Sequence, residues 1–182
     1  MPVKYLKLFL ISFVTICLGG CSWFGWAAHK TPSVEFIDIV SVDIIQENVW
    51  ILGGEMVFVP FTSGANAEAG RMVDHLALVM VKGFADYMSE NPGVFKLLTA
   101  EEAQYSRFVI EGRIDEFNTG GKFKKLGIGK KETTLKISGE IRDRKTGEIV
   151  ARINGNKSFQ NINEADQAAE DMGFLIAAKV QH

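Results

Sequence analysis

Cysteine is nearly missing from this 182-residue chain, which carries only Cys17 and Cys21. With no cysteine beyond position 21, no disulfide staples the remaining length, and its core has to hold it together. Histidine is almost as scarce. His29 and His182 lie towards the two ends and His75 between them, so no His-x-x-x-His pair or Cys-His cluster exists and no zinc or transition-metal site is expected. Long apolar runs are absent too. The stretch from Leu8 to Leu18 would extend roughly 16 Å as a helix, against a hydrocarbon core of about 30 Å, and so is too short to span a membrane alone. A Gly-x-Ser-x-Gly nucleophile elbow is missing. Charge of one sign is also lacking: the formal balance is −2, which gives no overall attraction to nucleic acid or to an anionic bilayer. What the chain does have is 47% hydrophobic residues, enough for a single domain to bury a core.

Lys4 and Lys7 precede the short apolar run, and Leu18-Gly19-Gly20-Cys21 closes it. A positive start, an apolar centre and small residues at the boundary form a secretion signal. The last four residues resemble the lipobox of bacterial lipoproteins. That resemblance implies cleavage ahead of Cys21, a diacylglyceryl thioether on Cys21 and, in most Gram-negative bacteria, acylation of the new amino terminus. A single fatty chain binds a membrane reversibly, at about 0.8 kcal/mol per buried methylene, whereas two or three hold a protein there durably. Ser22 rather than Asp follows the cysteine, which the enteric rule reads as export to the outer membrane, facing the periplasm. Loss of residues 1–20 removes two lysines and no acid, moving the formal charge from −2 to −4. The expected organisation is a cleaved signal over 1–20, a lipidated tether over 21–33 and one α+β domain over 34–182. Trp23, Phe24 and Trp26 beside the lipid suit the headgroup region, where an indole places an apolar body and a polar N–H together.

Beyond the tether the pattern alternates between strand and helix signals. Phe36 to Ile45, Val49 to Leu52 and Met56 to Phe61 are rich in β-formers, with Gly53-Gly54 as a tight turn and Pro60 at a strand end. Thr62 to Asn66 is expected as a loop, with Asn66 capping a helix whose apolar stripe runs through Met72, Leu76, Val79, Met80, Gly83, Phe84 and Tyr87. Asn91-Pro92-Gly93 ends it. Val94 to Leu98 predicts a short strand, and Thr99 with Glu102 a capping box. From Phe108 onward the period becomes two. Phe108, Ile110 and Ile114 oppose Glu111, Arg113 and Asp115; Leu135, Ile137 and Ile141 oppose Lys136, Ser138, Glu140 and Arg142; Ile149, Ala151 and Ile153 oppose Arg152 and Asn154. Such alternation belongs to an antiparallel sheet with one covered and one wet face. Asp143 to Glu148 is a turn. A last helix opens near Asn163 and Asp166, with Ala165, Ala168, Ala169, Met172, Leu175, Ile176 and Val180 as its stripe. The order predicts a two-layer α+β fold, mainly antiparallel, with two principal helices packed on one face.

Constellations that carry chemistry fail one after another. His75 beside Asp74 reads as a helix-surface histidine, and Asp115-Glu116 as neighbours that a strand would point apart. The segment Gly120 to Lys131 holds four glycines and five lysines. It fails as a phosphate-binding loop because Lys124 stands at the first glycine position relative to Gly129-Lys130 and Lys131 replaces the hydroxyl residue. It fails as a dinucleotide fingerprint because a strand follows it. What remains is a basic, glycine-rich hairpin in which Lys122, Phe123, Lys124, Lys125, Lys130 and Lys131 are partner-binding candidates for anionic headgroups, an anionic envelope polymer or an acidic protein surface. The competing reading is a solvated hairpin whose lysines blunt a sheet edge.

Phe108-Val109-Ile110-Glu111-Gly112-Arg113-Ile114, Gly120-Gly121-Lys122, Leu126-Gly127-Ile128-Gly129-Lys130 and Asp143-Arg144-Lys145-Thr146-Gly147-Glu148 resemble the bacterial family named domain of unknown function 4410. That resemblance implies an exported α+β domain and assigns no activity. Element order and lipidation are also similar to those of the curli secretion-channel lipoprotein and the lipoprotein activator of penicillin-binding proteins, an analogy of architecture. The expected function is a non-enzymatic, membrane-anchored adapter or accessory subunit of a cell-envelope complex, without cofactor or metal and without nucleic acid as partner. An oligomeric secretion-channel or scaffold subunit is the alternative, and an enzyme of unknown class the third.

Overall fold

Three long strands carry the period-two pattern, and they form the centre of the molecule. The computed structural model describes residues 39–67, 70–118 and 133–182. In chain order the elements are β1 (Ile39–Ile44), α1 (Glu47–Trp50), β2 (Gly54–Phe58), β3 (Thr62–Ala67), α2 (Arg71–Glu90), β4 (Phe95–Leu97), β5 (Phe108–Asn118), β6 (Thr133–Asp143), β7 (Ile149–Phe159) and α3 (Ala165–Gln181). The strands make one sheet in the order β1-β7-β6-β5-β2-β4, with β3 also on β5. The β1-β7, β7-β6 and β6-β5 ladders are antiparallel; β2 and β3 run parallel to β5, and β4 parallel to β2. The fold is therefore α+β, with a mixed, mainly antiparallel sheet.

Phe108, Ile110 and Ile114 of β5, Leu135, Ile137 and Ile141 of β6, and Ala151 and Ile153 of β7 are buried under the helices. Each large side chain so removed from water contributes roughly 1.5–3 kcal/mol. Ile114 pairs with Ile137 and Glu116 with Lys136, so Asp115 is the extra residue of a bulge. The bulge shifts the parity of the strand and returns Phe117 to the buried side.

Both principal helices follow most of their apolar stripes; of the residues expected there, Met72 is exposed, Val73 being buried beside it, and Val79 and Leu175 are half-buried. Val73, Leu76, Ala77, Met80, Gly83, Phe84, Tyr87 and Met88 of α2 are buried, as are Ala165, Ala168, Ala169, Met172, Gly173, Ile176, Ala177 and Val180 of α3. The helices run side by side in the same direction: His75 meets Asp166 near their starts, and Tyr87 meets His182 near their ends. Glycine makes their contact possible. A methyl on Gly83 would collide with the Glu170 carbonyl, and one on Gly173 with the Met80 carbonyl, so the two backbones touch where both side chains are missing. A second glycine pair lies in the sheet, where Gly112 of β5 faces Gly139 of β6 and the Phe61 ring occupies the space above both. Phe61 in turn packs on Phe58, and Phe58 edge-on against Phe84 of α2.

Local structure departs from the sequence pattern in three places. Val49 and Trp50, expected in a strand, lie in α1. A helical turn sends Trp50 inward against Phe95, with ring centroids 4.8 Å apart, while Ile51 and Leu52 stay outside. Thr62 to Asn66, expected as a loop, belongs to β3. Pro60 has no N–H to give, so the ladder beside β5 breaks after Val59 and resumes as β3 further along the same edge. Asn66 therefore sits in a strand, and α2 begins at Arg71 after Gly70. Half of the Thr99–Glu102 capping box is formed: Thr99 N–H donates to Glu102 Oε2 at 3.2 Å, but the Thr99 hydroxyl donates to the same oxygen at 3.1 Å, and the Glu102 N–H goes to the Thr99 carbonyl instead.

Candidate functional site

The helices cover one face of the sheet, and the wet face expected from the alternation lies opposite. At one end of that face Val57, Leu98 and Val109 are buried apart from the main core. The segment 99–107 is tied down there. Arg144 donates its N–H to the Arg107 carbonyl at 2.8 Å, and its guanidinium donates to the Ala103 carbonyl. Arg107 lies over the Phe108 ring, 4.7 Å from its centroid, and donates from Nε to Asp143 Oδ2 at 3.0 Å. Burial pushes the Asp143 carboxyl up. The Lys145 N–H, the Arg107 guanidinium and the Thr146 N–H outweigh that and hold it below the usual carboxylate range.

The rest of the face is an open groove of about 580 Å³. Val59, Pro60 and Thr62 form one wall, where β2 gives way to β3, and β5, β6 and β7 form the floor. Register places the floor's polar groups in two rows. Glu111, Glu140, Arg152 and Asp43 are cross-strand neighbours in one; Arg113, Ser138, Asn154 and Ser41 form the next. Two carboxylates facing each other across a ladder repel. Arg142 resolves this by donating from Nε to Glu111 at 3.2 Å and from its terminal nitrogen to Glu140 at 2.7 Å. Arg113 is paired with Asp115, whereas Arg152 makes no ion pair among the described residues. The arrangement offers a broad set of donors and acceptors to an extended polar surface.

Of the candidates read from the sequence, Cys21 and the hairpin residues Lys122, Phe123, Lys124, Lys125, Lys130 and Lys131 lie outside the described residues. His75 is an exposed helix residue, with Nε2 3.1 Å from Asp166 Oδ2. Asp115 and Glu116 separate at the bulge, one to Arg113 and the other to Lys136 at 3.7 Å. Among the described residues no three histidine, cysteine or acidic side chains converge as a metal site would need, and no helix is long and apolar enough to cross a membrane. Alternation had already assigned Glu111, Glu140, Arg142, Arg152 and Asn154 to the wet face. That they share one groove depended on strand order, which periodicity does not encode.

No family model and no curated protein matches the chain, so the likeness to domain of unknown function 4410 rests on the residues quoted for it. Solved structures do match. The PelC dodecamer from Paraburkholderia phytofirmans is similar over 79% of this chain and 99% of its own, at 12% identity and a TM-score of 0.53. A single-substitution form of that dodecamer covers 80% of this chain and 98% of its own, also at 12% identity, with a TM-score of 0.51. A candidate lipoprotein from Caulobacter crescentus covers 73% and 88% at 13% identity, with a TM-score of 0.37. What the chain shares with PelC is its fold.

Proposed function

We propose that this chain is a membrane-anchored, non-enzymatic bacterial lipoprotein that presents its α+β domain as an adapter or accessory subunit of a cell-envelope complex. The observation that carries the reading is the uncovered sheet face. Its floor spreads paired charges and hydrogen-bonding groups over three strands, with both facing carboxylates ion-paired to Arg142. In this reading Cys21 is the lipid attachment point, residues 21–33 are the tether, and the domain works at the periplasmic side of the outer membrane. The basic hairpin is a second contact surface. Photo-crosslinkers at Asn154 and at Lys124 in the lipidated protein test the two surfaces. One defined envelope component captured stoichiometrically at either position supports the reading, and none at both sinks it. Neutralising Lys122, Lys124, Lys125, Lys130 and Lys131 without loss of that partner removes the hairpin from the account.

A second reading is an oligomeric secretion-channel or scaffold subunit. The fold shared with PelC, whose solved structure is a dodecamer, favours it. Native mass measurement of the detergent-extracted protein separates a multi-copy ring from an accessory monomer or small oligomer.

A further inference from the structure

The borders of the sheet are not protected alike. β4 is only three residues long and carries the exposed Lys96, and β3 meets β5 through an irregular register between Ser63 and Asn66. Short strands, lysines and irregularities are the devices that keep sheet edges from pairing with other chains. β1 has none of them. It pairs with β7 in unbroken register from Ile39 to Ile44, and it contains no lysine, arginine or proline. Ile45 N–H donates to the Val150 carbonyl at 2.8 Å, which fixes the phase of the ladder: Ile39, Ser41 and Asp43 bond towards β7, so the backbone groups of Val40, Val42 and Ile44 point off the free edge. Among the described residues nothing takes those groups. Ile39, Ile44 and Ile45 beside them are 53%, 41% and 48% exposed.

We propose that β1 is the interface with a second copy of this chain, joined antiparallel through a two-fold axis at Val42 so that the two sheets become continuous. The proposal deepens the reading of the domain as an assembly subunit and rests on it. The sequence of the edge selects this register. Centred on Val42, the outward backbone groups of Val42 face their own copies and those of Val40 face Ile44. On the solvent side the exposed Ile39 meets the partner's Ile45, and the Ser41 hydroxyl meets the partner's Asp43 carboxylate. Centring on Ser41 would set Ile39 against Asp43, and centring on Asp43 would oppose two carboxylates. A two-fold contact uses the same patch on both copies, the commonest way for soluble chains to associate.

Disulfide trapping tests the register directly, using the full chain made with its own signal and extracted in mild detergent. Ile39→Cys and Ile45→Cys variants, differently tagged and co-expressed, are expected to oxidise to a covalent heterodimer. Either variant alone should give none, because like positions lie about 20 Å apart at ~3.4 Å per residue. No crosslink in the mixture, equal crosslinking in the single variants, or a ladder of species beyond the dimer would overturn the proposal. The parent chain is the control. A crosslink there exposes a free Cys21 thiol and counts against lipidation, while excess heterodimer in the mixture still decides the edge.

Discussion

Asp143 keeps a carboxylate almost wholly buried, with its side chain 2% exposed, and Arg107 and two backbone N–H groups hold it ionised. Its pKa is lowered in the folded state, so its contribution to stability is present above the ordinary carboxylate range near 3.9 and is lost as pH falls through the lowered value. Asp143→Asn should cost roughly 1–3 kcal/mol at pH 7, the lower part of the range for a broken pair because Arg107 is partly exposed. Urea titrations of both proteins should show that gap narrowing below about pH 4; a gap of constant size down to pH 2.5 would show that the charge is not the cause. Phe61 makes a second residue-scale case. It fills the space above Gly112 and Gly139, so Phe61→Ala should lose about 3–5 kcal/mol, read from the urea midpoint. The purpose of the two glycines is not legible in the sequence, because a ring arriving from the link between β2 and β3 is invisible to spacing along β5 or β6.

Among the elements, those with long periodic stripes were legible and those made by tertiary contact were not. The stripes of α2 and α3 and the alternation of β5, β6 and β7 carry their burial in their own spacing. By contrast, β3 exists because β5 has an open edge beyond Pro60, and α1 because one turn of helix lets Trp50 alone reach Phe95. The helix pair has a specific vulnerability. Gly83→Ala or Gly173→Ala would press a methyl against the opposite backbone carbonyl, which cannot withdraw as a flexible side chain could. Each is expected to destabilise by at least about 1–3 kcal/mol. Exposed Leu78→Ala on the same helix, which lies outside the buried stripe, should change stability by less than about 1 kcal/mol. Equal losses at all three positions in thermal denaturation would contradict the close crossing.

For the whole molecule, the fold class is readable from the order of elements and the β6–β7 hairpin from its Asp143–Glu148 turn, whereas the groove is not, since it depends on the wall raised at Pro60, where β2 gives way to β3 along the edge of β5. Cys21 and the lysine-rich hairpin are marked by local motifs, and their roles rest on sequence alone. In the proposed function a lipid holds the domain at the membrane, and the bare sheet face and the outer edge of β1 serve assembly there. Groove substitutions give this claim a functional consequence. Arg142→Ala leaves Glu111 and Glu140 facing each other uncompensated, and it should weaken partner capture at Asn154 several-fold while lowering stability by only about 1 kcal/mol. Unchanged capture would show that the groove is not the contact surface. The anchor itself is decided by the intact mass of the protein extracted from membranes. Lipid anchoring requires a chain beginning at Cys21 that carries the added mass of two or three acyl chains; an unmodified Cys21, or the uncleaved chain from Met1, would overturn it.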